Sequence, residues 1–414
     1  MTAKTIAALV VVILTAASVS GQEVSAPLTL DRVVSLYLER NLELQAVRYR
    51  VERTRADAIA ARLRPNPGFS LTAESLKVSG PAAAGRPHEF GATYSETIEL
   101  GGKRALRERV ADASISAAEA RFADAMRLGL AEVKRHYFEA VLARRNIEVA
   151  TENSQTFEQL VQFNLVRFQE GAIPESDLIK VRLERIKFDS AVRRARLSLR
   201  LAMIELAEEL EDDNIAKQVV ADGLVVPNIN PVLESLLETA LRDRPDVQAA
   251  GREIAAAQEK LRLEMARARP DITSFAGYKR VANNNTVLFG VSIPLKVRDR
   301  NQAEIARAQA DLKAAQTLLE VAKSHTIAEV QSAYEAFQTA RELLQIFRDE
   351  LLNQADESHS IALTAYEEGA TQLLPLLEAQ RTRAEVRQEY FRTLFDYEVS
   401  LSELELAVGR EIQP

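Results

Sequence analysis

Hydrophobic positions recur at three- and four-residue steps from Gly101 to Phe168, as in Leu130, Val133, Tyr137 and Val141, with Glu, Arg, Lys and Ala between them. That is the spacing of one face of a helix. The stretch holds no proline, and after Gly102 its one glycine is Gly129. At about 1.5 Å per residue the pattern predicts a rod on the order of 100 Å long. An ordinary globular helix has three or four turns. A second rod of the same length is predicted from Asn301 to Glu368. Two matched rods in one chain predict a long, thin, helical molecule.

The period changes between the rods. Leu28 to Leu63 reads as helix, with Leu30, Val33, Val34, Tyr37 and Leu38 as its stripe and Thr29 or Asp31 as its cap. Arg64-Pro65-Asn66-Pro67-Gly68 ends it, because proline stops a helix and glycine permits a turn. Phe69, Leu71 and Ala73 then alternate with Ser70, Thr72 and Glu74. After a loop from Ser79-Gly80-Pro81 to Arg86-Pro87, the alternation resumes with Phe90, Ala92, Tyr94, Ile98 and Leu100. This predicts two strands, about 68–78 and 88–100. The first rod, 101–168, stops at Glu170-Gly171, and a helix restarts at Pro174 and runs to about Glu211. Residues 212–231, with Pro227, form a connector.

The pattern then repeats. Val232–Arg269 is helical and stops at Pro270. Strands follow at about 271–281 and 286–294, around Asn283-Asn284-Asn285, then the second rod, 301–368, and a last helix from about Gln372 to Val408. Ala131-Glu132-Val133 and Tyr137 match Ala328-Glu329-Val330 and Tyr334 at an offset of 197, while Phe168, Glu170, Gly171 and Ala172 match Tyr366, Glu368, Gly369 and Ala370 at 198. The chain is a tandem duplication of helix–strand–strand–rod–helix. Residues 22–211 form the first repeat and 232–414 the second.

Composition narrows the setting. The 414 residues are 27% charged and 47% hydrophobic, enough for a folded core. The net charge of −7 is mild and interspersed, so no nucleic-acid or polybasic membrane surface is expected. Lys4, the uncharged run Thr5–Ala17, and Ser18 and Ser20 predict a secretory signal peptide over residues 1–21; a short membrane anchor is the alternative. The sequence has no cysteine, hence no disulfide and no N-terminal cysteine for a lipid anchor.

Strands of about ten residues with alternate apolar positions suit a tilted membrane-spanning sheet; two soluble hairpins would carry the same alternation. Four strands cannot close a barrel, and open edges are intolerable in lipid. Three chains would supply twelve strands.

The duplication, the rods, the strand pairs and the segment Glu96-Thr97-Ile98-Glu99-Leu100-Gly101-Gly102-Lys103-Arg104 together resemble the TolC family of outer-membrane efflux channels. That segment is most similar to the cobalt–zinc–cadmium branch. The resemblance implies a mainly α fold with a small membrane β portion: a homotrimer with a twelve-stranded β-barrel among outer-membrane lipids and a long α-helical periplasmic barrel. It implies a periplasmic adaptor (membrane fusion) protein docking at the rod turns, and a proton-driven inner-membrane pump of the RND type. In this family the second tip carries a tyrosine, a glycine, an arginine and two aspartates that help close the pore. Here Tyr366 and Gly369 are kept, Thr371 stands at the arginine position, and Pro375 and Glu378 stand at the aspartate positions. The arginine clasp is therefore expected to be missing. Asp177 matches an acidic position of the first tip.

Glu378 and Asp177 are the pore-constriction candidates. Three copies of Glu378 around an axis would repel one another and attract cations; a solvated helix glutamate is the plain alternative. Gly171, Ala172, Tyr366, Gly369 and Thr371 are assigned to the tip turns and adaptor docking. Phe90, Tyr94, Tyr278 and Phe289 are candidates for an aromatic belt, with inward packing as the alternative. His88, His136, His325 and His359 have no ligand partner at three or four residues, so metal specificity is expected to lie in the partner proteins. No G-x-S-x-G, P-loop, H-E-x-x-H or dinucleotide fingerprint occurs, and no enzyme or cofactor is expected. The expected function is a passive outer-membrane exit duct of a tripartite efflux system, exporting small solutes such as heavy-metal cations. The alternatives are a channel of the same fold for drug export or type I protein secretion, and a periplasmic coiled-coil scaffold without a pore.

Overall fold

The structure, a computed structural model, describes residues 27–76, 87–221 and 229–412. The expected signal peptide, most of the loop between the first two strands, and Pro227 lie outside the described residues. The first half comprises α1 (Leu30–Arg40), α2 (Leu42–Arg62), β1 (Gly68–Glu74), β2 (Glu89–Ile98), α3 (Lys103–Gln169) and α4 (Glu175–Glu209). The second comprises α5 (Leu233–Asp243), α6 (Pro245–Arg267), β3 (Ile272–Val281), β4 (Asn284–Ser292), α7 (Gln302–Ile346), α8 (Leu352–Glu367) and α9 (Leu373–Val408).

The leading helix of each half differs from the sequence expectation, which made it continuous. The first breaks at Asn41, whose backbone leaves the helical region at φ −55, ψ 123. Its side-chain Oδ1 accepts the Leu44 amide at 2.8 Å, and its Nδ2 donates to the Glu209 carbonyl at 3.1 Å. One residue thus ends α1, caps α2 and ties both to α4. The second breaks at Arg244, extended at ψ 128, because Pro245 opens α6 and disfavours a helical residue before it. At the start of α1, Thr29 is the cap and accepts the Arg32 amide at 3.3 Å.

The two rods also differ. α3 is a single helix of 67 residues. The second rod is divided by a π turn at Phe347–Leu351 between α7 and α8. A π turn holds one more residue than an α turn. It lies between the matched pairs Tyr137/Tyr334 and Phe168/Tyr366, where the repeat offset rises from 197 to 198. The extra residue of the second repeat falls in the interval that contains this turn.

Three apolar clusters hold the helices together. One joins α1, α3 and α4 through Val33, Tyr37, Val133, Val141 and Leu206. A second joins α5, α7 and α9 through Ala240, Val330, Phe337 and Leu404. The third lies near the rod turns and joins α3, α4, α8 and α9 through Phe157, Val181, Tyr366 and Leu376. The duplication reaches into these cores, since Val133 and Val330 are equivalent and both have no exposed surface. Arg244, only 2% exposed, ties the α5–α6 junction to α9 and α7 by donating to the Ala407 carbonyl at 3.0 Å and to Glu329 at 2.6 Å.

Glu398, on α9, is 8% exposed. Burial, reinforced by Glu405, pushes its carboxyl up to about 7, against the opposing pull of Lys134. The folded protein therefore holds this proton more tightly than the unfolded chain, whose carboxyl titrates at the ordinary 4.5. The stability gained from the neutral carboxyl is complete below the unfolded value and is lost as pH rises through about 7. Glu398→Gln, which stays neutral, is expected to raise the melting temperature of the detergent-extracted protein at pH 8 but hardly at pH 5. Equal shifts at both pH values would contradict this.

Candidate functional site

The four strands form one antiparallel sheet in the order β1-β2-β3-β4. Its register decides which side chains share a face, because residues directly opposite project to the same side. Tyr94 lies opposite Phe69 and Ala276, and Ala276 lies opposite Phe289. Ala92 lies opposite Leu71 and Tyr278, and Tyr278 lies opposite Val287. Phe90 follows two residues before Ala92 on the same side. All four aromatic-belt candidates therefore occupy one face, with Phe69, Leu71 and Val287. All are exposed in the protomer, Phe289 by 82%. The other face carries Ser70, Thr72, Thr93, Thr97, Thr273, Lys279 and Thr286, with Phe275, Val281 and Leu288 as apolar exceptions. Lys279 pairs with Glu89 on that side. Among the described residues β1 pairs only with β2, and β4 only with β3. The sheet has one largely apolar face, which also carries Glu96, Ser274, Arg280 and Asn285, one mostly polar face, and two edges unpaired among the described residues.

The segment Glu96–Arg104 has a mechanical place at the junction of sheet and rod. Lys103, 6% exposed, donates to the Arg269 carbonyl and to Asp271, both at 2.7 Å. Asp271 also accepts the Leu100 amide at 3.0 Å, and Arg107 donates to Glu99 at 2.9 Å. These contacts fasten the first strand-to-rod junction to the helix-to-strand junction of the second half. In the second half Asn301 takes a similar place, donating to the Glu264 carbonyl at 2.8 Å.

At the far end are two hairpin turns. Gly171 and Gly369 adopt φ +77 and +75, and the amides after them, Ala172 and Ala370, each donate at 2.8 Å to the carbonyls of Arg167 and Ala365. Both turns need a left-handed residue, which glycine supplies without a Cβ penalty. The hairpins are latched to each other. The Tyr366 hydroxyl donates to Asn164 Oδ1, and Asn164 Nδ2 donates to the Leu160 carbonyl at 2.8 Å. The Arg167 guanidinium lies 5.1 Å from the centre of the Tyr366 ring and 5.5 Å from that of Phe163, and donates to the Tyr366 carbonyl at 3.3 Å. Burial, the largest influence, raises the Tyr366 pKa although Arg167 and Asn164 pull it down, so the phenol stays protonated.

Thr371 stands where the resemblance led one to look for an arginine, yet an arginine does engage the tip tyrosine. It comes from the first hairpin, and sequence reasoning passed over it and Asn164. The signal was faint: Arg167 stands immediately before Phe168, the residue equivalent to Tyr366. Asp177 accepts from Lys180 at 2.9 Å, and Glu378 is exposed one turn before Arg381. Arg381 is held mainly by its hydrogen bond to Glu184, which raises its pKa. Ala172 is exposed and Thr371 half-buried beside the turns. The histidines correct one expectation. His136 does have a carboxylate at helical spacing, with Nε2 3.8 Å from Glu132. Among the described residues no three or more His, Asp or Glu groups stand together to hold a metal ion, and no helix is long and apolar enough to cross a membrane.

The protomer thus combines paired rods, a latched tip and an amphipathic sheet. The chain belongs to the outer membrane efflux protein family, whose model matches residues 33–209 and 236–410. It is similar to the cobalt-zinc-cadmium resistance protein CzcC of Cupriavidus metallidurans, 26% identical over 391 residues that cover 94% of this chain and 92% of that one. It is also similar to the nickel and cobalt resistance protein CnrC of the same organism, 29% identical over 298 residues, 67% of this chain and 68% of that one. Among solved structures, CusC shares the fold at a TM-score of 0.75 with 19% identity, covering 92% of both chains. The outer membrane protein VceC of Vibrio cholerae does so at 0.76 with 17% identity, covering 93% of this chain and 97% of that one. Membership of this family sets aside the poreless scaffold.

Gly369→Ala is expected to cost about 1 kcal/mol from backbone strain alone, since an added Cβ meets nothing within 4 Å. Gly369→Asn should cost less, because asparagine tolerates the left-handed region better. Thermal unfolding measures both; an equal or larger loss for asparagine would refute the strain account.

Proposed function

We propose that this protein is the exit duct of a tripartite efflux system, completed as a homotrimer in the outer membrane. The observation that carries this is the sheet, with two edges unpaired among the described residues and one face that gathers Phe69, Leu71, Phe90, Tyr94, Tyr278, Val287 and Phe289. Pairing β1 of each copy with β4 of the next leaves no edge in lipid. Twelve strands then surround a lumen lined by the Ser and Thr face, with the aromatic face toward lipid. The rods extend the wall into the periplasm. Residues 1–21 serve as the export signal, and the two repeats flank the connector. Transport is passive: the duct supplies a water-filled path, and driving force comes from an inner-membrane RND-type pump joined through a periplasmic adaptor. The adaptor docks at the tip turns, around Gly171, Ala172, Tyr366, Gly369 and Thr371. Heavy-metal cations are the proposed cargo, supported by relatives named for resistance to cobalt, zinc, cadmium and nickel.

Native mass measurement of the detergent-extracted protein is expected to give three copies, with the protein fractionating in the outer membrane. A water-soluble monomer would overturn the proposal.

Glu378 is proposed as the acidic constriction, three copies facing one axis and attracting cations. In planar bilayers Glu378→Gln is expected to lower the preference for cations over anions and to weaken block by multivalent cations. Unchanged selectivity and block would remove Glu378 from the pore.

A further inference from the structure

Along the lower rods α4 packs on α3, α3 on α9 and α9 on α8, so α4 and α8 are the two flanks of the protomer. α4 buries one side through Val181 and Leu206. Its other side carries Ile179, Leu183, Ile186, Leu197, Leu201 and Ile204, each between 47% and 60% exposed. With Ser190 and Arg193 filling the interval, they recur at three- and four-residue steps, the seam by which two helices pack. The ion pairs of α4 lie toward the tip, where Lys180 meets Asp177, Arg185 meets Glu158 and Lys187 meets Glu184. Above them Arg193 and Arg200 are exposed beside the seam and have no ion pair among the described residues.

The second rod has an outer seam of its own, opposite the buried Leu344 and Ala355. Ile346 and Ile361 lie in it, 48% and 63% exposed. Glu342 and Glu350 share it, exposed and without an ion pair among the described residues, whereas Asp349 is engaged by Arg348.

Two bonds from α9 fix the relative heights. Arg381 bonds Glu184 of α4, and Arg383 bonds Asp356 of α8. Ile186, two residues above Glu184, is thus level with Asp356. α4 climbs from the tip while the second rod descends to it, each by about 1.5 Å per residue. Seven steps from this level bring Arg193 to the height of Asp349 and Glu350, and fourteen bring Arg200 to that of Glu342. Leu197 falls within one residue of Ile346, and Leu183 within two of Ile361. Rotation about an axis parallel to the rods changes no height, so levels within one copy hold between copies.

We propose that the outer seam of α4 docks antiparallel on the second rod of a second copy of this chain, pairing Arg200 with Glu342 and Arg193 with Glu350, and packing Leu197 on Ile346. This rests on the homotrimer proposed above and adds the faces that join it. Opposite charges matched level by level set the register and favour a copy of this chain over an unrelated helix. The sheet closes in the same sense. β1 follows α2, which meets the top of α4 at Asn41, and β4 leads into α7, so joining β1 to β4 brings these two flanks together.

The chain has no cysteine, so introduced pairs report single contacts. In the full-length protein embedded in outer membranes, Leu197→Cys with Ile346→Cys should give disulfide-linked dimers and trimers on oxidation. Each single variant, and Leu197→Cys with Ile361→Cys at mismatched heights, should give none. Arg200→Glu should lower the temperature at which the trimer dissociates, and adding Glu342→Arg should recover at least half of that loss. Absent cross-links in a protein that native mass shows to be trimeric, or equal cross-links for matched and mismatched pairs, overturn this seam and leave the duct standing. Cross-links from position 197 only to a different protein give the face to an adaptor and also overturn the seam. A monomer overturns both proposals. Should Arg200→Glu fail to assemble, the matched cysteine pair decides alone.

Discussion

Every strand in a sheet has two sides of backbone donors and acceptors, and here β1 and β4 each satisfy only one side among the described residues of their own chain. In water the free sides are hydrated; in hydrocarbon each unmet group costs several kcal/mol. The sheet also presents a row of exposed aromatic and aliphatic side chains on one face, from Phe69 to Phe289. An apolar face seeks lipid, while open edges forbid it to a lone protomer. The two demands are reconciled only when further strands continue the ladder. The Lys103–Asp271 contact gains its meaning here, because it fixes the angle at which the sheet leaves the rods and so the direction in which its edges point.

The rods obey a different economy. Helices of this length are not made by propensity alone but by burial along their flanks, and burial in this chain is concentrated in three clusters rather than spread evenly. On the outward side of the first cluster the helix surface is laced with short-range ion pairs, such as Arg135 with Glu132 and Glu139. Exposed pairs of that kind contribute little each. Near the tips one hairpin is fastened to the other by the third cluster and by cross-repeat contacts that include Arg167 on Tyr366, Tyr366 on Asn164, Gln380 on Asn153 and Arg381 on Glu184.

The rods, the strand pairs and the duplication were legible in the sequence because each is a matter of period, and period survives without knowledge of neighbours. The break at Asn41 was not, because apolar spacing continues on both sides and only the backbone departs; the break at Arg244 was readable from Pro245, which follows it, and was passed over. Asn41 acts through Glu209, a residue remote in sequence. Alternation placed Phe90, Tyr94, Tyr278 and Phe289 each on some face of its own strand. That they share a single face depends on pairing register, which no single strand encodes. At the tips, Gly171 and Gly369 were readable as turn glycines. The partnership of Arg167 with Tyr366 was not, since it joins residues from opposite halves of the duplication. A search confined to the second tip finds threonine where the family has arginine and stops there.

The π turn at Phe347–Leu351 solves a problem of angular phase. Each residue of an α-helix advances about 100° around the axis. A residue added to an unbroken helix would swing every side chain beyond it through that angle, carrying Tyr366 away from Asn164. Widening one turn absorbs the addition, so azimuth is kept on both sides of the bulge while only axial length is adjusted. The two halves of this duplicated wall have thus drifted apart in residue count without losing rotational alignment, and compass bearing rather than length is what the repeat has preserved.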